Sequence, residues 1–130
     1  MSFTSVVNDT VNVSDLSAPQ ARVPVLLSVN TDLNALGIGS VAGSNMYYIT
    51  NAPLQLTFPA NYSVNKGRVI HVLSYNGAVT VPASSSSSGV VTRLDTAGAP
   101  INGGTLLAAT GNWATLVCDG VTGWLVSMLG

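Results

Sequence analysis

From Met46 onward, short runs of apolar and β-branched residues are interrupted by turn signals about every ten residues. That spacing suits strands and leaves no room for a long helix. The runs read as strands at Met46–Thr50, Leu54–Phe58, Arg68–Ser74, Ala78–Val81, Val90–Leu94, Thr105–Ala109, Ala114–Cys118 and Trp124–Met128. The joints include Asn51-Ala52-Pro53, Pro59-Ala60-Asn61, Asn76-Gly77 and Asp119-Gly120. Asn-Gly and Asp-Gly supply the positive φ of a tight hairpin, so both are expected to join paired strands. Glu is absent, and Lys and Gln are nearly so. These residues normally populate exposed helix faces, so composition supports the same conclusion. The expected fold is all-β, an antiparallel β-sandwich or jelly roll of about eight short strands.

Upstream, Val23-Pro24-Val25-Leu26-Leu27-Ser28-Val29 reads as a further strand, which Pro24 restricts to an edge or to its first residues. Asn30 to Asn45 holds Gly37, Gly39 and Gly43 and reads as a long excursion, with at most one helical turn near Leu33. Residues 1–22 are polar with scattered Val, an N-terminal arm or edge segment, and 23–130 form the sandwich domain. Ser84 to Ser88 is a solvated loop inside that domain. No internal repeat is evident.

Four basic and five acidic residues give a net charge of −1, while Ser, Thr, Asn and Gly together number 51. Phosphate binding draws on clustered Lys and Arg, so no nucleic-acid partner is expected. No apolar run approaches a membrane span, and the N-terminus lacks the basic and apolar segments of a signal peptide. Low net charge weakens repulsion between copies, and a charge-poor, apolar-rich chain is expected to hide surface in an oligomer or larger assembly.

Residues that carry chemistry are sparse. His71 is the single histidine, on the strand face shared with Val69 and Leu73, and reads as structural or interfacial. No Gly-x-Ser-x-Gly elbow accompanies it. Cys118, the single cysteine, sits in an apolar strand as a buried thiol. One His, one Cys and scattered Asp provide no metal-ligand spacing. Asp95 and Asp119 lie at turns, where Asp bonds its own backbone. The chain is therefore expected to be non-enzymatic, without cofactor or metal. Two readings of the aromatics remain open. Tyr47, Tyr48 and Trp113 can offer flat faces to a glycan, as can Trp124, Tyr62 and Tyr75, or the tryptophans can pack between strands or subunits.

One order of elements is more specific. Leu54-Gln55-Leu56-Thr57-Phe58-Pro59 precedes Asn65-Lys66-Gly67 and the apolar strand Arg68 to Ser74, then Gly77-Ala78-Val79-Thr80-Val81. Ile101-Asn102-Gly103-Gly104 follows, and Trp113 leads through Asp119-Gly120 to Trp124. This order resembles the small β-sandwich modules of tailed-bacteriophage capsid decoration, head-fibre and tail-fibre proteins. The resemblance covers the stretch from Leu54 onward and implies a homotrimer, no catalysis and no defined binding residues. It implies a virion location, with the major capsid protein as partner. The chain shows no coiled coil or repetitive shaft of the kind a tail fibre uses, which favours a capsid-decorating role over the alternative, a receptor-binding tip or adaptor that holds host-surface glycan. On the decoration reading, Val6, Val7, Val11, Val13 and Pro24 are the candidate capsid-attachment residues.

Overall fold

The computed structural model of the chain describes residues 24–34, 47–93 and 100–130. The expected arm, with Val6, Val7, Val11 and Val13, lies outside the described residues, as do Met46 and the segment around Asp95. The strands are β1 (Val25–Leu27), β2 (Thr31–Asp32), β3 (Tyr47–Thr50), β4 (Leu54–Thr57) and β5 (Val69–Ser74). They continue with β6 (Val79–Thr80), β7 (Val91–Arg93), β8 (Thr105–Leu107), β9 (Trp113–Cys118) and β10 (Trp124–Leu129). A single helical turn, α1 (Tyr62–Asn65), separates β4 from β5. The fold is all-β, in two sheets. A six-stranded sheet has the order β1-β3-β5-β9-β10-β7, and a four-stranded sheet the order β2-β4-β6-β8.

The expected antiparallel arrangement is corrected. Five of the eight strand pairings among the described residues are parallel, and both sheets are mixed. The chain passes from one sheet to the other and back, laying β1, β3 and β5 side by side in the first sheet and β2, β4 and β6 in the second. Partners stand 23 residues apart (Val25 with Tyr48), 24 (Tyr48 with Val72) or 25 (Thr31 with Leu56, Leu54 with Val79). These are three successive turns of a coil, a repeat of conformation where the sequence shows no repeat of residues. The reason is visible at Leu27, Thr50 and Ser74, which align in register and are all buried, yet differ in chemistry. An inward position constrains size and packing more than identity.

The corners of the coil stack on one another. Asn51 donates its N–H to the Leu27 carbonyl (2.8 Å), and Tyr75 donates to that of Thr50 (2.9 Å). Asn30 Oδ1 accepts the Gln55 N–H at 2.8 Å. Asn76-Gly77 belongs to one of these corners, which corrects the expected hairpin: β5 and β6 lie in different sheets. Both edges of β5 are occupied, by β3 and β9, so no free edge is left for a β6 hairpin. Gly77 does adopt φ +87°, and a Cβ there would meet Pro53 Cγ of the preceding corner at 2.5 Å. Close stacking of corners thus demands the glycine.

Thr31–Asp32 also departs from the expected excursion, since it pairs with β4 as the second sheet's edge strand. Leu33, expected near a helical turn, is buried in the core, with its N–H donated to the Thr57 carbonyl at 2.9 Å. Among the described residues β1 is an edge strand and Pro24 lies just before its first residue, a position consistent with both options that Pro24 left open. Inward residues of both sheets form one apolar cluster that includes Tyr48, Ile70, Leu116 and Trp124 from the first sheet and Leu56, Phe58, Val79 and Leu106 from the second or its flanks. Trp124 is completely buried, tilted against Phe58, and donates its indole N–H to the Pro59 carbonyl at 2.9 Å. The join between β9 and β10 is a five-residue loop, Asp119 to Gly123, rather than a two-residue turn.

Candidate functional site

Strand alternation turns one residue set of each strand into the core and the other outward. In the six-stranded sheet the outward set is uncharged and mostly apolar, and the ladder register arranges it in cross-strand rows. One row runs Leu26, Ile49, Leu73, Trp113 across β1, β3, β5 and β9. The next runs Tyr47, His71, Thr115, Met128 across β3, β5, β9 and β10. The third runs Val69, Val117, Leu125, Thr92. No Asp, Lys or Arg stands in these rows. Leu26, Leu73, Trp113 and Met128 are all exposed, Leu26 at 60% and Met128 at 57%.

The first two rows enclose a depression of about 250 Å³, lined by residues that include Pro24, Tyr47, His71, Leu73, Trp113 and Thr115. Three rings on this face are held in place. Tyr47 stacks on His71 with centroids 4.7 Å apart and planes 14° from parallel. His71 Nδ1 lies 2.9 Å from Thr115 Oγ1, so these two residues of the lining engage each other. Trp113 exchanges two backbone hydrogen bonds with Gly130, and any Cβ at Gly130 would collide with the indole. The ring therefore lies over bare backbone, a packing that only glycine permits.

A bulge shapes the far side of the face. The β9–β10 register shifts between Thr115 and Leu116, which leaves Ser127 as the extra residue. Its hydroxyl donates to the Thr115 carbonyl at 3.2 Å. Val126 stays inward in step with Trp124, and the extra residue turns Met128 outward opposite Thr115.

The structure separates the sequence candidates. Tyr47 and Trp113, proposed for glycan contact, and Pro24, proposed for attachment, meet at the same depression. Tyr48 also borders the depression, but not with an available ring, and its expected glycan-contacting face is corrected. Its side chain is 1% exposed and points into the core, because alternation along β3 turns its neighbour Tyr47 outward. There its hydroxyl accepts from Arg68 Nη2 at 3.4 Å, while Arg68 Nη1 donates to Asn65 Oδ1 at 3.1 Å. Burial pushes the Tyr48 hydroxyl above its ordinary pKa, and the Arg68 guanidinium partly offsets this. Tyr62 is tied down as well, with its hydroxyl accepting the Val90 N–H at 2.9 Å. Tyr75 is exposed in a coil corner.

Cys118 is buried, and burial raises its thiol pKa, leaving a protonated and poorly nucleophilic sulfur. Asp119 bonds its own loop, as turn chemistry predicts. Among the described residues, no group of three or more His, Cys, Asp or Glu is placed to hold a metal ion. None of their helices is long and apolar enough to cross a membrane.

Sequence reasoning missed Ile49, Leu73, Thr115 and Met128 as members of one surface. A signal was present, since both alternating sets of Arg68 to Ser74 are apolar (Ile70 with Val72, Val69 with Leu73). Two-sided apolarity marks a strand covered on both faces. The scan against protein families and the searches of curated proteins and of solved structures found no match to this chain.

Proposed function

We propose that this chain is a non-enzymatic structural protein of a bacteriophage virion, a homotrimeric β-sandwich that decorates or cements the capsid. The observation that carries this reading is the uncharged apolar face of the six-stranded sheet, continuous across β1, β3, β5, β9 and β10. Contiguous exposed apolar surface of this kind belongs to association sites. The order of elements from Leu54 onward, which resembles phage decoration and fibre modules, supplies the virion context. A two-sheet core with few charges suits a component that is buried by its neighbours rather than one that turns over substrates. Residues 1–22 then serve as the arm toward the shell, and Pro24 marks where that arm reaches the sheet. Immunogold microscopy of purified particles, with antibody against this chain, tests the reading. Label distributed over the head supports it, and absence from particles rejects it.

A second reading has its own observation. Tyr47 and Trp113 stand beside a depression large enough for part of a sugar ring, as a receptor-binding tip requires. Label confined to the tail, with glycan-array binding lost in Tyr47→Ala and Trp113→Ala, would favour it. The chemistry of the floor weighs the other way. A sugar needs several free directional hydrogen-bond partners, and two polar atoms of the mostly apolar lining, His71 Nδ1 and Thr115 Oγ1, are engaged with each other.

A further inference from the structure

We infer that the outward face of the six-stranded sheet is the surface on which a second copy of this chain docks, seating an aliphatic side chain in the depression between Tyr47 and Trp113. The inference rests on the homo-oligomer reading above and adds its location, anchors and chemistry.

Charge selects the occupant. The three rows contain no fixed charge, so an acidic or basic partner would find no counter-charge and would lose its own hydration on docking. An uncharged apolar surface fits, and the same face of another copy is one. Shape agrees. Leu26 on β1 and Met128 on β10 project from opposite flanks of the face, with the depression between them. Its volume of about 250 Å³ exceeds the roughly 150 Å³ in which a protein cavity takes up benzene, so one long aliphatic side chain can enter. Methionine, flexible and unbranched, suits such a hole. Knob and hole occupy different positions, so the contact can run head to tail and close into a ring.

Extent agrees as well. Twelve outward positions in the three rows, each about 4.8 Å by 6.7 Å, cover on the order of 400 Å² in projection. That is the size of the largest apolar patches on protein surfaces, which are often functional, and it would form the centre of an interface of about 800 Å² per partner rather than the whole of it. The anchors are also pre-set. Tyr47 is stacked, His71 is bonded and Trp113 is propped over Gly130, so little side-chain freedom remains to be lost on docking.

The test is the solution mass of the full chain by light scattering on a sizing column, at micromolar concentration. Wild type is expected as an oligomer. Leu73→Asp and Met128→Asp place a charge on the face at exposed positions, and each should lower the mass about threefold to that of a monomer. Their far-UV circular dichroism should match wild type. Val121→Asp, in the exposed loop between β9 and β10, should leave the mass unchanged. A monomeric wild type overturns the inference, and so do folded face variants that keep the wild-type mass. A monomer whose antibody still labels particle heads would mean that another virion protein covers the face, and the decoration role would survive. A face-dependent oligomer absent from particles would reject the decoration role and keep the interface.

Discussion

Asp119 organises the loop between β9 and β10 by itself. Its carboxylate accepts the Thr122 hydroxyl and the N–H groups of Val121, Thr122 and Gly123. The Thr122 hydroxyl first, then these backbone N–H groups, hold its pKa well below the usual carboxylate range. Because the folded pKa lies below the unfolded value of about 3.9, the stability Asp119 contributes is complete above that value. It is lost as pH falls toward the folded pKa. Urea midpoints of wild type should therefore exceed those of Asp119→Asn at neutral pH, and the gap should narrow as the solution is acidified. A gap independent of pH would assign the loop's order to backbone geometry alone. Trp124 acts at the same scale, through volume. It is fully buried and bonded to Pro59. Trp124→Ala should cost about 3–5 kcal/mol in denaturant unfolding. A loss under about 1 kcal/mol would contradict its central place in the core.

Among the elements, the coil corners and the central strand make opposite demands. Gly77 and Gly111 both hold positive φ, +87° and +89°. A Cβ on Gly77 meets Pro53 at 2.5 Å, whereas one on Gly111 meets nothing within 4 Å. Gly111→Ala should cost about 1–2 kcal/mol, the backbone penalty alone. Gly77→Ala should cost measurably more, and the difference reports how tightly successive corners stack. Equal losses in thermal unfolding would mean that the corner yields freely. β9 lies between β5 and β10 and carries Cys118 inward. A buried thiol with a raised pKa should resist an aqueous disulfide reagent in the folded protein and react completely once urea unfolds it. Rapid labelling of the native chain would show that the end of β9 opens locally.

For the whole molecule, assembly and stability are linked. If copies dock through the apolar face, folding is coupled to association, and the melting temperature should rise with protein concentration. Leu73→Asp should remove that dependence. A wild-type melting temperature independent of concentration would separate folding from assembly.

Strand positions were legible through most of the described residues. Each of the eight runs expected from Met46 onward contains a strand, because alternation and turn residues act locally. β2 escaped notice because two residues, Thr31 and Asp32, carry no periodicity. The candidate site was half legible. Tyr47 and Trp113 were singled out for glycan contact and Pro24 for attachment, and Tyr48 was grouped with Tyr47 although strand geometry turns adjacent side chains to opposite faces. By itself, then, the sequence determined an all-β chain, the extent of most strands, the buried Cys118 and the self-bonded Asp119. Strand partners were decided only by the tertiary structure. A period of two tells which way a side chain points, but it says nothing about the neighbour its backbone will pair with. The corner Asn76-Gly77 looks like a hairpin until β3 and β9 occupy both edges of β5. Those same pairings gather residues from Leu26 to Met128 into one apolar face.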